Sequence, residues 1–435
     1  MFTPEFEVGK LPISEIKKYQ EKELGKALEY LAAKSKFYID FFKNNKIDIS
    51  KIKKIEDLKH IPCTTKTDLQ SRNMDFLCVE ENKIIDYITT SGTLGNPVTF
   101  AATENDLNRL ALNEYLSFVC ADGTPDDIYH LMITMDRRFM AGLAYFIGLR
   151  KLGAGIVRVG PGNPELQFDT IKRISPTFII TIPSFIPTLI EFAEERKIDF
   201  RNSSVKAAIC IGEPLRDSNF NLNKLGQHIK SKWDINLYST YASTEMGAAF
   251  TECKHGIGGH HHPEMIIAEF LDEKGNQVAE GELGEVTITN LGVEGMPLLR
   301  FRTGDICTYF TEPCACGRNS LRIGPVVGRK NQMIKYKGTT LFPSALFEIL
   351  NDIPEVKNYI IEVSTNNIET DDIIVKIGST IQSKVFEKDI KDHFRAKLRV
   401  APNIEFKDPK EISKLQMPEN SRKPILFIDS RTKNF

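Results

Sequence analysis

Several things are scarce in this sequence, and each absence excludes something. No apolar run in its 435 residues approaches the length of about 18 needed for a membrane-spanning helix. The opening MFTPEFEVGK lacks the basic-then-apolar pattern of a secretory leader, so the expected location is cytoplasmic. Neither sign of charge is in excess. The 57 Lys and Arg stand against 58 Asp and Glu, a net charge of −1, which leaves no footprint for nucleic acid or an anionic membrane. Eight cysteines are too few for a disulfide scaffold, and five of them (Cys63, Cys78, Cys120, Cys210 and Cys307) read as scattered core or surface residues. Internal repeats and low-complexity linkers are also missing, and so is the GxxxxGK[ST] phosphate loop.

What is present describes an ordinary globular chain, with 41% apolar and 26% charged residues. Its length suggests about two to three domains. Residues 13–45 carry apolar side chains at helical spacing among Lys and Glu, which predicts one or two amphipathic helices. Thr103 with Asp106 three residues on predicts a capped helix start, with Leu107, Leu110, Tyr115, Leu116 and Val119 as its buried stripe. Strand-like runs then recur between helix-like ones, at 128–134, 155–159, 177–182, 205–211 and 235–240. Such alternation predicts a mainly parallel sheet covered by helices. From about Glu264 the rhythm changes to short strands with turn signals (266–271, 284–290, 298–301, 306–310), a smaller and more antiparallel layer. Past Gly328 the pattern is mixed α+β. The fold class is therefore α/β: a large N-terminal domain over 1–327 and a small α+β domain over 328–435, joined by a short hinge at 328–331.

The most informative stretch is Tyr87–Thr99. An apolar strand-like segment runs into Thr89-Thr90-Ser91-Gly92-Thr93-Leu94-Gly95-Asn96-Pro97, four hydroxyl residues interleaved with two glycines. Glycines bring backbone N–H groups close to an anion and hydroxyls add short donors, a composition suited to wrapping a nucleotide triphosphate. The same residues also read as a polar hairpin turn. Three segments downstream share this ambiguity. Tyr241-Ala242-Ser243-Thr244-Glu245-Met246-Gly247 follows a strand and presents a carboxylate where parallel sheets bind ligands, suited to Mg²⁺ on phosphates; a surface residue or helix cap is the bland alternative. Arg300-Phe301-Arg302-Thr303-Gly304-Asp305 sets a carboxylate after a glycine turn, to take ribose hydroxyls or simply to stabilise the turn. Gly328-Arg329-Lys330-Asn331-Gln332-Met333-Ile334-Lys335-Tyr336-Lys337-Gly338 is a strand between glycine turns, or a solvated basic hairpin.

In order and spacing these four segments resemble the core motifs of the adenylate-forming (ANL) ligases, which include acyl- and aryl-CoA synthetases, peptide-synthetase adenylation domains and luciferases. Phe342-Pro343-Ser344, the near-C-terminal Lys423-Pro424-Ile425-Leu426-Phe427-Ile428-Asp429-Ser430-Arg431 and the short length are most similar to the phenylacetate–CoA ligase group. The resemblance implies an ATP-dependent, AMP-forming enzyme that activates an aromatic or arylacetic carboxylate as an acyl-adenylate and then transfers it to coenzyme A. It implies a mobile C-terminal domain. By resemblance, Ser91, Gly92, Thr93 and Gly95 close on the ATP phosphates, and Gly212-Glu213-Pro214 stands beside the adenine. Tyr241, Ala242 and Ser243 line the nucleotide and acyl pocket, and Thr244 and Glu245 serve phosphate and Mg²⁺. Asp305, helped by Arg329, holds the ribose, and Lys423 reaches the reacting carboxylate and α-phosphate. Leu94, Asn96 and Asn331 depart from the usual Thr, Lys and Asp or Lys. Phe139, Tyr145, Pro183, Phe185 and Tyr241 are expected pocket walls, and Arg137 or Arg138 is a candidate for a second anionic group on the substrate, or an ordinary surface arginine. Two alternatives remain: an adenylyltransferase that passes AMP to a cofactor, or the acyl group to a carrier, without CoA; and a non-catalytic nucleotide-binding protein on the same fold. A homodimer is an open expectation.

The remaining cysteines make a second constellation. Cys253, His255, His260, His261 and His262 lie close together, and Cys314-Ala315-Cys316-Gly317 follows in a turn. Cys253, one His, Cys314 and Cys316 fit a closed tetrahedral zinc site of structural type; free thiols beside a solvated His run are the alternative. His260 is the expected ligand because similar chains of the ligase group carry a His seven residues after the Cys, with His262 and His255 next.

Overall fold

The computed structural model describes residues 7–90, 98–337, 339–365, 371–418 and 424–431, and the chain divides into two compact units. The first comprises residues 1–303 and 307–326, the second 304–306 and 327–435.

In the first unit the 13–45 segment forms two helices, α1 (Ile13–Lys34) and α2 (Lys36–Asn44), broken at Ser35, whose hydroxyl accepts from the Tyr38 N–H. Ile16, Gln20, Leu24, Leu28 and Leu31 form the buried stripe of α1. Gln20 lies within it because its amide donates to the Pro263 and Ile266 carbonyls. After the short α3 (Lys66–Ser71), β1 (Asp86–Thr89) and β2 (Thr99–Ala102) pair as an antiparallel hairpin. Then comes α4 (Glu104–Cys120), opened by a reciprocal capping box between Thr103 and Asp106 as the sequence predicts.

Strands and helices then alternate through β3 (Ile128–Leu131), α5 (Met140–Leu152), β4 (Gly155–Arg158), α6 (Pro164–Ile174), β5 (Phe178–Thr181), α7 (Phe185–Arg196), β6 (Ala207–Ile211), α8 (Lys224–Lys232) and β7 (Asn236–Ser243). α5 stops at Gly153, whose φ of +81° makes it the left-handed cap, and α6 starts on Pro164 behind the Asn163 cap. β8 (Ala248–Glu252), β9 (Gly259–His260), β10 (Ile266–Leu271), β11 (Gly284–Asn290), β12 (Phe301–Cys307), β13 (Tyr309–Phe310) and β14 (Arg322–Ile323) follow. The large sheet runs β13-β14-β9-β8-β7-β6-β5-β3-β4, parallel from β7 through β4 and antiparallel at the other end. β10 and β11 pair antiparallel apart from it.

The parallel strands are apolar on both faces because both are covered. Phe178, Ile180, Ala207 and Ile209 point into one core with α4 and α5, while Ile179, Ala208 and Cys210 point into a second core with α6, α7 and α8. Each fully buried Leu or Ile contributes about 1.5–3 kcal/mol. α4 and α5 pack closely at Gly148, where a Cβ would stand 2.3 Å from that of Glu114. Burial pushes the Glu114 carboxyl up to about 8, against the Asn113 amide that donates to it. The folded state therefore holds a proton that the unfolded chain releases at ordinary carboxyl pH. Stability from this group is lost as pH rises from about 4.5 towards 8. Glu114→Gln is expected to gain melting temperature over the parent progressively across pH 5 to 8, and a gap constant with pH refutes the assignment.

The second unit holds β15 (Gly328–Arg329), β16 (Ile334–Tyr336), β17 (Thr339–Leu341), α9 (Pro343–Asn351), β18 (Asn358–Thr365), β19 (Asp371–Gly378), α10 (Lys384–Leu398), β20 (Asn403–Lys407), α11 (Pro409–Gln416) and β21 (Phe427–Asp429). Its four-stranded sheet runs β20-β19-β18-β21, with only the central β18–β19 pair antiparallel. Val363, Val375 and Ile377 pack with Leu346, Ile349, Ile390 and Phe394 from α9 and α10. Arg431, just past β21, donates to Asp429, Asp371 and the Met333 carbonyl and so ties the C-terminal strand to the start of the unit. No helix among the described residues is long and apolar enough to cross a membrane.

Candidate active site and cysteine cluster

The carboxyl ends of β3, β5, β6 and β7 lie on one edge of the sheet, the edge where open α/β sheets bind ligands. Ile211 pairs with Thr240, so Gly212-Glu213-Pro214 leaves β6 directly beside Tyr241, Ala242 and Ser243, the last residues of β7. Gly212 turns the chain with a φ of +77°. Glu213 gives both carboxylate oxygens to Ser184, accepting from its N–H and its hydroxyl at 2.9 Å each, which fixes the loop after β6 to the start of α7. Ala242 is exposed, and Tyr241 lies 5.9 Å from the Phe250 ring.

Thr244 and Glu245 occupy the turn between β7 and β8. The turn is closed from inside: the Gly247 N–H donates to the Ser243 and Thr244 carbonyls, and the Met246 N–H donates to the Ser243 hydroxyl. Ser243 thus uses its side chain on the turn itself. The Met246 carbonyl accepts from Asn290 and the Gly247 carbonyl from Arg109. A cavity lined by Thr244, Glu245, Met246, Arg109 and Met140 lies beneath.

The β1–β2 hairpin stands at the same edge. Its loop base is fixed by the Thr90 N–H to the Val98 carbonyl and the Val98 N–H to the Thr90 hydroxyl, while the Thr89 N–H donates to the Arg138 carbonyl. Ser91, Gly92, Thr93 and Gly95, with Leu94 and Asn96, lie outside the described residues, as does Lys423. Arg137 and Arg138 are exposed and take consecutive left-handed conformations, each with a φ of 58°. Among the expected pocket walls, Tyr145 packs in the core against Phe118, and Phe185 packs on the core under α6 to α8.

Asp305 and Arg329 belong to the second unit, paired across β12 and β15 with Arg329 Nε 3.1 Å from Asp305 Oδ1. The sequence suggests that Asp305 follows a turn, yet it sits within strand β12. Gly304, with a φ of +82°, bends the strand without ending it. Arg300, from the same motif, is structural: buried, it grips Glu269 through Nε and a terminal nitrogen and donates to the Ile61 carbonyl.

At the antiparallel end of the large sheet, Cys253 leaves β8, His260 ends β9, and Cys314 and Cys316 occupy the turn between β13 and β14. The ligand atoms of these four residues all lie within 4.8 Å of one another. Cys253 Sγ is 3.7 Å from Cys314 Sγ, and Cys316 Sγ is 3.4 Å from His260 Nε2. Register decides among the histidines. His260 pairs with Arg322 on β14, next to the cysteine turn, whereas His261 bonds the Ile266 carbonyl, His262 bonds Ser117 and His255 is exposed. Hydrogen bonding from Cys253, joined by the His260 ring and the Arg318 N–H, holds the Cys316 thiol far below its ordinary range. The same contact, with burial, drives the Cys253 thiol up. Arg318 donates to Cys316 and pairs with the buried Glu7 at 2.9 Å. None of the eight cysteines forms a disulfide.

Sequence reasoning misses Arg109, Asn290, Arg318 and Glu7. Each acts through carbonyls or charges far along the chain, and only the spacing of Arg109 inside an amphipathic helix carried any signal.

Residues 17–294 match the family described as AMP-binding enzyme. The chain is 29% identical over 358 residues to a phenylacetate-coenzyme A ligase of Thermus thermophilus, covering 82% of this chain and 79% of that one. It is 28% identical over 307 residues to a phenylacetate-coenzyme A ligase of Escherichia coli, covering 68% and 67%. A crystal structure of 2-hydroxyisobutyryl-CoA ligase in the postadenylation state superposes with a TM-score of 0.84 over 97% of this chain and 91% of that one, at 21% identity, a likeness of fold. The chain belongs to the AMP-binding enzyme family, the adenylate-forming superfamily, and its similarities there run to the phenylacetate–CoA ligase group.

Proposed function

We propose that this protein is an ATP-dependent, AMP-forming ligase that activates an aromatic or arylacetic carboxylate as its acyl-adenylate and then thioesterifies it with CoA. The observation that carries this reading is the convergence of Gly212–Pro214, Tyr241–Gly247 and the base of the β1–β2 loop on one sheet edge, in a chain similar over most of its length to phenylacetate–CoA ligases.

In this reading the substrate carboxylate attacks the α-phosphate of ATP, a C–O–P bond forms and pyrophosphate leaves. Two anions must approach, so catalysis is largely charge neutralisation and positioning. Ser91, Gly92, Thr93 and Gly95 hold the departing pyrophosphate through backbone and hydroxyl donors. Gly212, Glu213, Pro214, Tyr241, Ala242 and Ser243 frame the base and the acyl group. Thr244 donates to phosphate, and Glu245 is the carboxylate for Mg²⁺, which when bound withdraws charge from the phosphates. Asp305 takes the ribose hydroxyls with Arg329 beside it, and Lys423 bridges the substrate carboxylate and the α-phosphate. The C-terminal unit then rotates about the 328–331 hinge, and the CoA thiol attacks the acyl carbon as AMP leaves.

Cys253, His260, Cys314 and Cys316 are proposed as ligands of a structural zinc. A tetrahedral ion with Zn–S bonds of about 2.3 Å sets its sulfurs about 3.8 Å apart, against 3.7 Å between Cys253 and Cys314. All four positions are filled by protein, which leaves no room for catalysis there.

Carboxylate-dependent ATP–pyrophosphate exchange across a panel of aromatic acids, with and without CoA, tests the reading. Exchange with at least one aromatic acid and CoA-thioester formation is the expected result. No exchange with any acid overturns the enzyme, and exchange without CoA consumption points to an adenylyltransferase. Sedimentation of the same preparation tests the homodimer.

A further inference from the structure

Arg109 lies on α4 between Leu107 and Leu110, facing the underside of the Thr244–Glu245 turn. Its guanidinium spends its donors on three carbonyls from three distant stretches of chain. Nε donates to Leu291 at 2.7 Å, one terminal nitrogen to Gly247 at 2.7 Å and the other to Met265 at 2.5 Å. None of these three partners carries a charge. The carboxylate three residues before it on the same helix, Asp106, is occupied by the N–H groups of Glu294 and Gly295 and by Thr103. Drawing a guanidinium partly out of water is costly unless its N–H groups find partners, and here three of them are satisfied by backbone carbonyls. Burial lowers the Arg109 pKa to about 10, which still leaves it cationic at neutral pH.

The geometry it imposes is that of the Glu245 turn. Gly247 has a φ of +52°, a left-handed conformation that favours glycine, and a Cβ there would stand 3.4 Å from Arg109 Nη1, so the strain of a substitution falls on the turn itself. With Asn290 on the neighbouring Met246 carbonyl, Arg109 clamps the two peptides that follow Glu245. Met265 and Leu291, at the start of β10 and the end of β11, supply the rigid frame against which the clamp pulls. A guanidinium reaches three directions at once from one plane, whereas an ammonium on a flexible stem does not.

We infer that Arg109 is a positioning residue for Glu245, fixing the turn from which that carboxylate meets the metal on the ATP phosphates. The inference rests on the proposed role of Glu245. Groups that orient metal-binding carboxylates typically change metal affinity by about 10- to 100-fold when removed. Arg109→Lys is therefore expected to raise the Mg²⁺ concentration for half-maximal exchange by about 10-fold or more, with the KM for the acid unchanged. Gly247→Ala, which keeps the guanidinium and disturbs the turn, gives the same signature, and it decides the matter if Arg109→Lys does not fold. A residue needed only for stability would lower the melting temperature and the amount of active enzyme without moving the Mg²⁺ dependence. Glu245→Gln separates the two levels of the argument. If it shifts the Mg²⁺ dependence while Arg109→Lys and Gly247→Ala leave it flat, the inference is overturned and the reading of Glu245 stands. If Glu245→Gln leaves it flat, the metal role of Glu245 fails and the inference fails with it.

Discussion

Lys423→Ala is expected to lower carboxylate-dependent ATP–pyrophosphate exchange by at least about 100- to 1,000-fold, the usual consequence of removing one donor aimed at developing charge, while leaving thioesterification of preformed acyl-adenylate within a few-fold of the parent. The asymmetry follows from the chemistry of the two half-reactions. In the first, a carboxylate oxygen approaches an α-phosphate already carrying negative charge, and a cation between them lowers the barrier directly. In the second, a thiol attacks an acyl carbon and AMP departs, with no second anion to bring in. A lysine near the C-terminus that serves the first step alone requires the C-terminal unit to stand differently in the two steps. Within that unit the chain after Lys423 is firmly placed: the Ile425 N–H donates to the Gln416 carbonyl, β21 pairs with β18, and Arg431 ties the end to Asp371 and Met333. A segment so anchored moves with its unit. Loss of both half-reactions in Lys423→Ala overturns the two-conformation mechanism, and retained exchange removes Lys423 from the chemistry.

Local pattern carried much of this molecule. The Thr103–Asp106 cap and the five alternating strands are written in short stretches of sequence and lie where those stretches place them. What local pattern left out depends on partners far along the chain. Arg300 and Asp305 come from one motif of six residues, yet one is buried against Glu269 and the other pairs with Arg329, and no spacing rule separates those fates. Glu213 belongs by resemblance to the turn beside the adenine, and nothing in its local spacing shows that Ser184 holds both its oxygens. Arg109 reads as one polar residue of an amphipathic helix, because the carbonyls it bonds belong to peptides that any side chain could carry. The choice among three consecutive histidines was legible only by resemblance. In the fold it follows from which of them pairs with the strand leaving the cysteine turn.

The cysteine cluster yields the second large effect. The purified protein is expected to carry about one equivalent of zinc, and Cys316→Ser or Cys253→Ser to lose it, with a stability cost above about 4 kcal/mol, the range reserved for metal loss and comparable disruptions. The size follows from what the cluster joins. Cys253, His260 and the Cys314–Cys316 turn come from the ends of β8, β9 and β13, short strands at the antiparallel end of the sheet, where β9, β13 and β14 each span two residues. Two-residue strands provide little ladder of their own, so the proposed ligand bonds would supply much of what holds this end together. Three thiolates and one imidazole on a divalent ion leave a net charge of −1. Arg318 meets it at Cys316, and Glu7 pairs with both Arg318 and Lys10, which links the cluster to the N-terminal segment, whose Gly9 carbonyl accepts from Asn319 and Ser320. Zinc loss is therefore expected to release residues 7–11 as well, seen as early proteolytic cleavage or faster amide exchange there. His255→Ala, at an exposed position outside the cluster, keeps its zinc and its melting temperature. Metal analysis giving well under one equivalent of zinc, in protein that is folded and active, rejects the site.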